Sequence, residues 1–295
     1  MRPTVMRSML MTPAGRTEMV DKAASYGPDV VVLDLEDATP REHKETARAT
    51  VQRYLRAGPQ AVTGVRVNSW GTGMLEDDLD AIVGPGLAYI RLPKAESSDD
   101  VIRLDEALTK LEATRGLAAG EIGIAASTES ARGIMNAVAI STASPRLLTM
   151  GVGSAEDGDL QRDLGCEWTE DGISFLYART HVLTAARAAG VPFVTEGSYA
   201  GVRDLEGLRR HSEHIRRLGF DGRAAIHPTQ IPVINEVFTP TPARILYYRR
   251  MREAFLAAEK DGRAAIDFEG KLVDYAMLKA ADKVLAIADV MEVAP

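Results

Sequence analysis

The sequence predicts an α/β protein, a (β/α)8 TIM barrel followed by a C-terminal helical extension. Three observations support this fold class: β-rich runs alternate with longer helical patterns, eight strand candidates follow one another, and strands such as Val30–Leu33 are continuously apolar, as in parallel sheets buried on both faces. The chain has 295 residues, about 45 more than a barrel of roughly 250 residues needs. A doubly wound open sheet is the alternative, but no glycine-rich dinucleotide motif follows the first strand.

Each strand is predicted from a short apolar run and each helix from an amphipathic run between two strands. The strand candidates are Ser8–Met11, Val30–Asp34, Val62–Val67, Tyr89–Leu92, Ile122–Ala126, Leu147–Met150, Pro192–Val194 and Ala224–Ile226. The helix candidates are Arg16–Tyr26, Arg41–Leu55, Met74–Val83, Asp99–Thr114, Ala131–Ser141, Ile173–Ala189 and Asp204–Leu218. Together they predict a catalytic barrel over residues 1–238.

A proline-rich stretch, Phe238–Pro242, ends this alternation and predicts a linker. Arg244–Lys260 and Tyr275–Ala288 then predict two helices joined by a polar loop. The segment 239–295 has few apolar residues, so we expect it to form no core of its own. We predict an extension or lid that packs on a neighbouring subunit.

Composition excludes several classes of function. There are 35 Lys and Arg residues against 42 Asp and Glu, a net charge of −7, which argues against nucleic acid as a partner. No apolar run of about 18 residues predicts a membrane span, and the N-terminus has no signal-peptide pattern. The single cysteine, Cys166, forms no internal disulfide, which fits a reducing compartment. We therefore expect a cytoplasmic protein that acts on small molecules.

Polar residues cluster where the predicted strands end, which is where barrel enzymes carry their chemistry. They are Asp34, Glu36, Asp37, Arg66, Asn68, Lys94, Glu129, Glu156 and Asp157. Acids after three strands with cations opposite them are suited to a hard divalent metal and an anionic substrate. Because nitrogen and sulfur ligands are scarce, the pattern favours Mg²⁺, with Mn²⁺ as an alternative, over zinc.

Each of these residues also has a structural interpretation. Asp37 could cap the following helix, and Arg66 could form an ion pair with Asp34 or Glu36. Lys94 could close the barrel rim, or serve as the amine of an imine-forming aldolase.

Nine segments carry a likeness to a known family over nearly the whole chain. They are Arg7–Pro13, Val32–Ala38, Arg66–Asn68, Leu92–Lys94, Thr128–Gly133, Ser154–Asp157, Gly219–Pro228, Asn235–Pro240 and Gly270–Asp274. In order and spacing the chain resembles the citrate lyase β-subunit-like family of acyl-CoA lyases, which includes L-malyl-CoA, citramalyl-CoA and citryl-CoA lyases. The resemblance implies a Mg²⁺-dependent barrel that makes or breaks a C–C bond between a 2-oxo acid and the acyl group of a coenzyme A thioester.

The resemblance also implies roles for individual residues. Glu129 and Asp157 would be the metal ligands, Arg66 would hold the carboxylate of the oxo acid, and Glu36 and Asp37 would orient metal-bound waters. Arg16 and Lys22 would bind the phosphates of coenzyme A. Asp274 would move the proton at the acyl α-carbon, delivered by a neighbouring subunit of a homo-oligomer, either a trimer or a hexamer.

Two points stay open at the level of sequence. The loop after the sixth strand is about two residues longer than in the family, so Glu156 and Asp159 are alternatives to Asp157 as the second ligand. The function also has alternatives: a related 2-oxo-acid aldolase or a malyl-CoA-type thioesterase with the same metal site, or a partner-dependent subunit of a citrate lyase complex.

Overall fold

Eight parallel strands close into a barrel in which each strand pairs with the next and the last pairs with the first. The structure is a computed structural model that describes residues 2–291, apart from the side chain of Lys283. The chain divides into two compact units, Met1–Phe238 and Thr239–Pro295. The closed barrel confirms the predicted fold class.

All eight predicted strands are present, and most of the predicted helices are found with shifted ends. The strands are β1 (Ser8–Pro13), β2 (Val30–Asp34), β3 (Val62–Arg66), β4 (Tyr89–Leu92), β5 (Gly123–Thr128), β6 (Leu147–Val152), β7 (Phe193–Glu196) and β8 (Gly222–Ala225). The helices are α1 (Thr17–Lys22), α2 (Lys44–Arg56), α3 (Leu75–Ile82), α4 (Ser98–Arg115), α5 (Ala131–Met135), α6 (Ala137–Ser141), α7 (Asp159–Leu164), α8 (Leu176–Ala188), α9 (Leu205–Leu218) and α10 (Gln230–Phe238). Short 3₁₀ turns cover Ala23–Tyr26, Arg41–His43, Trp70–Thr72 and Ile173–Phe175.

Alternate strand residues supply two separate layers of core. Met9, Val32 and Tyr89 belong to the cluster inside the barrel. Val31 and Leu33, whose side chains point to the other face of β2, belong to the cluster between the strands and the helices. This alternation points every second strand residue toward the barrel axis and so decides which polar side chains reach the interior.

Two helices of the barrel unit were not predicted, and one predicted helix is divided. Ala131–Ser141 is interrupted at Asn136, whose side-chain amide donates to the Glu96 carbonyl at 2.7 Å. The helix α7 has only six residues, too few to show a helical repeat, and α10 contains Pro232, which predicts a break. The polar residues of α7 therefore read as a loop.

The second unit contains α11 (Pro242–Lys260), β9 (Ile266–Phe268), β10 (Lys271–Val273) and α12 (Tyr275–Val290). Both predicted helices are confirmed, whereas the predicted polar loop is an antiparallel hairpin. The expectation that this segment forms no core is wrong, because Met251 and Phe255 pack with Val273 in a small apolar cluster.

Within residues 2–291, no helix is both long enough and apolar enough to cross a membrane.

Candidate active site

A cavity of about 350 Å³ opens at the carboxyl ends of the barrel strands. All eight strands, or the loops directly after them, contribute residues to its wall. This is the end of the barrel at which TIM-barrel enzymes carry their active sites. The charged residues of the wall are Asp34, Asp37, Arg66, Arg91, Glu129 and Asp159.

Arg66 is held by two carboxylates from β2 and the loop after it. Its Nε and Nη2 donate to the two oxygens of Asp34 at 2.8 and 2.6 Å, and its Nη1 lies 3.1 Å from Glu36 Oε2. Asp34 also accepts from the Glu36 backbone N–H at 2.9 Å, which fixes the turn that carries Glu36. The ion-pair interpretation of Arg66 is therefore correct, and it leaves the remaining guanidinium donors for a ligand.

Lys94 joins three acids at the rim of the pocket. Its Nζ lies 2.9 Å from Glu36 Oε1, 3.2 Å from Asp159 Oδ2 and 3.8 Å from Asp37 Oδ2. Burial opposes the charge of Lys94, but the bond and charge of Glu36 outweigh it and raise the pKa of the ammonium. An imine-forming lysine must be neutral to attack, so this environment argues against imine chemistry.

Glu129 follows β5 and lines the pocket. Among the residues that the structure describes, no side chain or backbone group forms a hydrogen bond or ion pair with its carboxylate. Burial raises the pKa of Glu129 to about 7, with a contribution from the charge of Glu36. Gly153 gives this side chain its space, because a Cβ there would lie 2.6 Å from Glu129 Cγ. In the sequence, the alternating glycines Gly151 and Gly153 at the end of β6 indicate that a neighbouring side chain occupies this space.

The loop after β6 places its acids differently from the prediction. Glu156 and Asp157 are exposed, and Asp157 has a left-handed backbone with φ of 58°. Neither belongs to the pocket wall, whereas Asp159, the first residue of α7, does. The Asp159 carboxylate also contacts the exposed Arg162. The geometry favours Asp159, which the sequence left open, over Asp157.

The residues predicted to bind coenzyme A are not part of the pocket wall, and the residue predicted to move the proton belongs to the second unit. Arg16 and Lys22 are exposed at the two ends of α1 and are not part of the pocket wall. Asp274 lies in the second unit, where it caps α12 by accepting from the backbone N–H groups of Ala276 and Met277 at 2.9 and 3.3 Å.

The residues of the pocket fit a magnesium ion that is shared with a substrate. Across residues 2–291, no three His, Cys, Asp or Glu side chains converge closely enough to hold a metal by themselves. Four acids line the pocket wall, Asp34, Asp37, Glu129 and Asp159, and among the described residues Glu129 has no hydrogen-bond or ion-pair partner. Mg²⁺ needs only one or two carboxylates when water and substrate oxygens complete its shell. The all-oxygen donor set also matches its preference.

An α/β barrel with carboxylates and arginines at its strand ends is suited to an enzyme that acts on small carboxylic acids. The chain matches the HpcH/HpaI aldolase/citrate lyase family over residues 7–228 and belongs to this family of enzymes. The resemblance stated from the sequence is thereby confirmed.

Relatives match the chain over nearly its whole length. It is 35% identical to the citrate lyase subunit beta of Haemophilus influenzae, over 95% of this chain and 95% of that protein. It is 32% identical to a (3S)-malyl-CoA thioesterase of Cereibacter sphaeroides, over 96% and 94% of the two chains. A crystal structure of the protein CitE from Mycobacterium tuberculosis, in complex with magnesium, acetoacetate and coenzyme A, matches with a TM-score of 0.76 and 32% identity, over 97% and 99% of the two chains.

Proposed function

We propose that the protein is a Mg²⁺-dependent hydroxyacyl-CoA lyase that makes or breaks a C–C bond between a 2-oxo acid and an acyl-CoA enolate. The observation that carries this proposal is the pocket wall, which combines the carboxylates of Glu129 and Asp159 with the guanidinium of Arg66; among the described residues, Glu129 has no hydrogen-bond or ion-pair partner. The similarity to a CitE structure that contains magnesium and coenzyme A supports the same chemistry.

In this proposal Glu129 and Asp159 hold the metal, and Glu36 and Asp37 orient its waters. When bound, Mg²⁺ would stabilise the negative charge on the substrate hydroxyl oxygen as that oxygen loses its proton and becomes the carbonyl of the oxo acid. Arg66 binds the carboxylate of the oxo acid with the donors that Asp34 and Glu36 leave free. Because Asp34 fixes the Nε edge of the guanidinium, Arg66 presents those donors in one orientation.

Cleavage leaves the bonding electron pair on the α-carbon of the acyl group as an enolate, which must take up a proton. We propose that Asp274 donates this proton and, in condensation, removes it. The longer members of the family deliver this acid from a neighbouring subunit, so we propose a homo-oligomer, a trimer or hexamer. Arg16 and Lys22 are proposed to bind the phosphates of coenzyme A.

Asp274→Asn separates the proton transfer from the helix cap, because asparagine caps helices about as well as aspartate. We expect kcat to fall by roughly 10²- to 10⁴-fold, the usual loss for a general acid–base group, with unchanged thermal unfolding. Mixing Asp274→Asn with Glu129→Gln subunits should restore part of the activity if the acid acts across a subunit boundary. An unaltered kcat would remove Asp274 from the reaction.

The proposed reaction is tested by incubating the purified protein and Mg²⁺ with malyl-CoA, citramalyl-CoA and citryl-CoA. A lyase releases acetyl-CoA together with an oxo acid. Release of free CoA without acetyl-CoA would instead identify a thioesterase, the alternative that the similarity to the (3S)-malyl-CoA thioesterase supports. Activity that appears only after a second protein is added would indicate a partner-dependent subunit of a complex.

A further inference from the structure

Arg91 is a buried cation on the wall of the active-site pocket. Its side chain is 7% exposed. Within the part of the chain that the structure describes, no carboxylate lies within 4 Å of its guanidinium. The hydrogen bond that the structure shows for it is a weak one, to Met9 Sδ at 3.8 Å.

The neighbouring arginine has the opposite arrangement. Arg66 on β3 is the register partner of Arg91 on β4, so the two cations lie side by side at one level of the barrel. Arg66 is neutralised by Asp34 and Glu36, whereas Arg91 has no such acid. Burial lowers the pKa of Arg91, and the charge of Arg66 lowers it further. A buried charge without a counter-ion is costly, so this position is suited to an incoming anion.

Ser127 and Gly151 pack next to Arg91, and neither belongs to the pocket wall. The Oγ of Ser127 is buried without a hydrogen-bond partner. Both Arg91 Nη2 and Ser127 Oγ lie 3.2 Å from the point where a Cβ at position 151 would stand, and Gly151 leaves that point empty. Even a methyl group at position 151 would crowd the guanidinium, so Gly151 preserves the place of Arg91 on the pocket wall, where its planar fork of donors suits a carboxylate. The negative charge of Glu129 also acts on Arg91, but in the proposed function Glu129 binds the metal and is not a counter-ion for Arg91.

We propose that Arg91 binds a second carboxylate of the substrate and makes the site selective for oxo acids with two carboxylates. Oxaloacetate carries this group, whereas pyruvate has a methyl group in its place. The inference rests on the proposed function, since Arg66 and the metal take the first carboxylate.

Calorimetric binding of freshly dissolved oxaloacetate and of pyruvate to the full-length protein with Mg²⁺ tests this proposal without turnover. We expect the wild-type protein to bind oxaloacetate about 10- to 100-fold more tightly, the range for a charge-assisted hydrogen-bonded pair. Arg91→Gln should abolish this preference while changing pyruvate affinity less than about threefold. Arg91→Lys, which keeps the charge but not the planar fork, should retain part of it.

Arg91→Lys is also the milder variant, because it leaves a cation on the pocket wall. It tests the site even if Arg91→Gln does not fold, which thermal unfolding would show. Equal wild-type affinity for the two acids, an unchanged preference in folded Arg91→Gln, or no binding of either acid would overturn the inference. A preference that depends on Arg91 in a protein that forms no acetyl-CoA would support the subsite and refute only the lyase reaction.

Discussion

Two groups of buried charges in the barrel unit have similar residues and opposite arrangements. The pocket contains Arg66 and Arg91 with acids around them. The second group, here called the α8–α9 cluster, consists of Arg179, Glu196, His211 and Arg223 between β7, β8 and the two helices, and each member is at most 2% exposed. In the pocket, Glu129 and Arg91 face a cavity, whereas the charged groups of the α8–α9 cluster contact one another, Ser154 and backbone carbonyls.

The hydrogen bonds and ion pairs of the α8–α9 cluster show this arrangement. Arg179 Nη2 lies 3.1 Å from Glu196 Oε1, and its Nη1 donates to the Gly172 carbonyl at 3.2 Å. Arg223 Nη2 donates to the Gly197 carbonyl at 3.2 Å, and Glu196 Oε1 accepts from Ser154. The cluster therefore holds the loops after β6 and β7 that line the pocket. Both groups are buried, so burial alone does not distinguish a binding residue from a structural one. A cavity next to an unpaired charge does.

The largest expected effect concerns the pocket. Glu129→Gln removes a metal-ligand charge and should lower kcat/KM by about 10³-fold or more, since a metal supplies several kcal/mol of charge stabilisation. Its thermal midpoint should stay close to that of the wild type, because Glu129 makes no ion pair among the described residues. Steady-state kinetics and thermal unfolding check both parts. Unchanged turnover would exclude Glu129 from the site.

The matched substitution in the α8–α9 cluster should instead affect stability. Glu196→Gln leaves Arg179 without its buried carboxylate, and breaking a buried ion pair in this way costs about 3–5 kcal/mol. Urea unfolding measures this loss. A change below about 1 kcal/mol would show that the two clusters do not differ as described.

A smaller effect depends on pH. Burial, together with the charges of Arg223 and Arg179, lowers the pKa of His211 to about 2 from an ordinary 6.5. The unfolded chain then binds a proton below pH 6.5 that the folded protein does not, so His211 lowers the unfolding free energy by about 1.4 kcal/mol per pH unit below that value. Between pH 7 and 5.5, His211→Gln should lose less stability than the wild type. Equal losses would contradict the buried neutral histidine.

The barrel could be predicted from sequence because buried parallel strands are continuously apolar, as at Val30–Leu33. The positions of Glu36, Arg66 and Glu129 at predicted strand ends were enough to make them candidate site residues, because barrel enzymes carry their catalytic groups there. Arg91 could not be recognised, because in the four residues of β4 the sequence does not show which face points inward.

Two other features depended on local geometry that composition does not reveal. Because the loop after β6 is longer than in the family, its backbone conformation decides whether Asp157 or Asp159 faces the pocket. The left-handed backbone of Asp157 turns the chain so that Asp159 does. The β9–β10 hairpin turns at Glu269 and Gly270, with φ of 52° and 77°. Such turns usually carry Asn-Gly or Asp-Gly, so Glu-Gly gave only a weak signal.

The central claim, that Glu129 and Asp159 form the metal site, is tested most directly by Mg²⁺ titration calorimetry with an oxo acid present. Asp159→Asn and Asp157→Asn form a matched pair, with the same substitution two residues apart in one loop. We predict that Asp159→Asn weakens Mg²⁺ binding by at least about tenfold, the scale of losing one carboxylate ligand, and that Asp157→Asn binds as the wild type does. The reverse result, with binding lost in Asp157→Asn and retained in Asp159→Asn, would contradict the account.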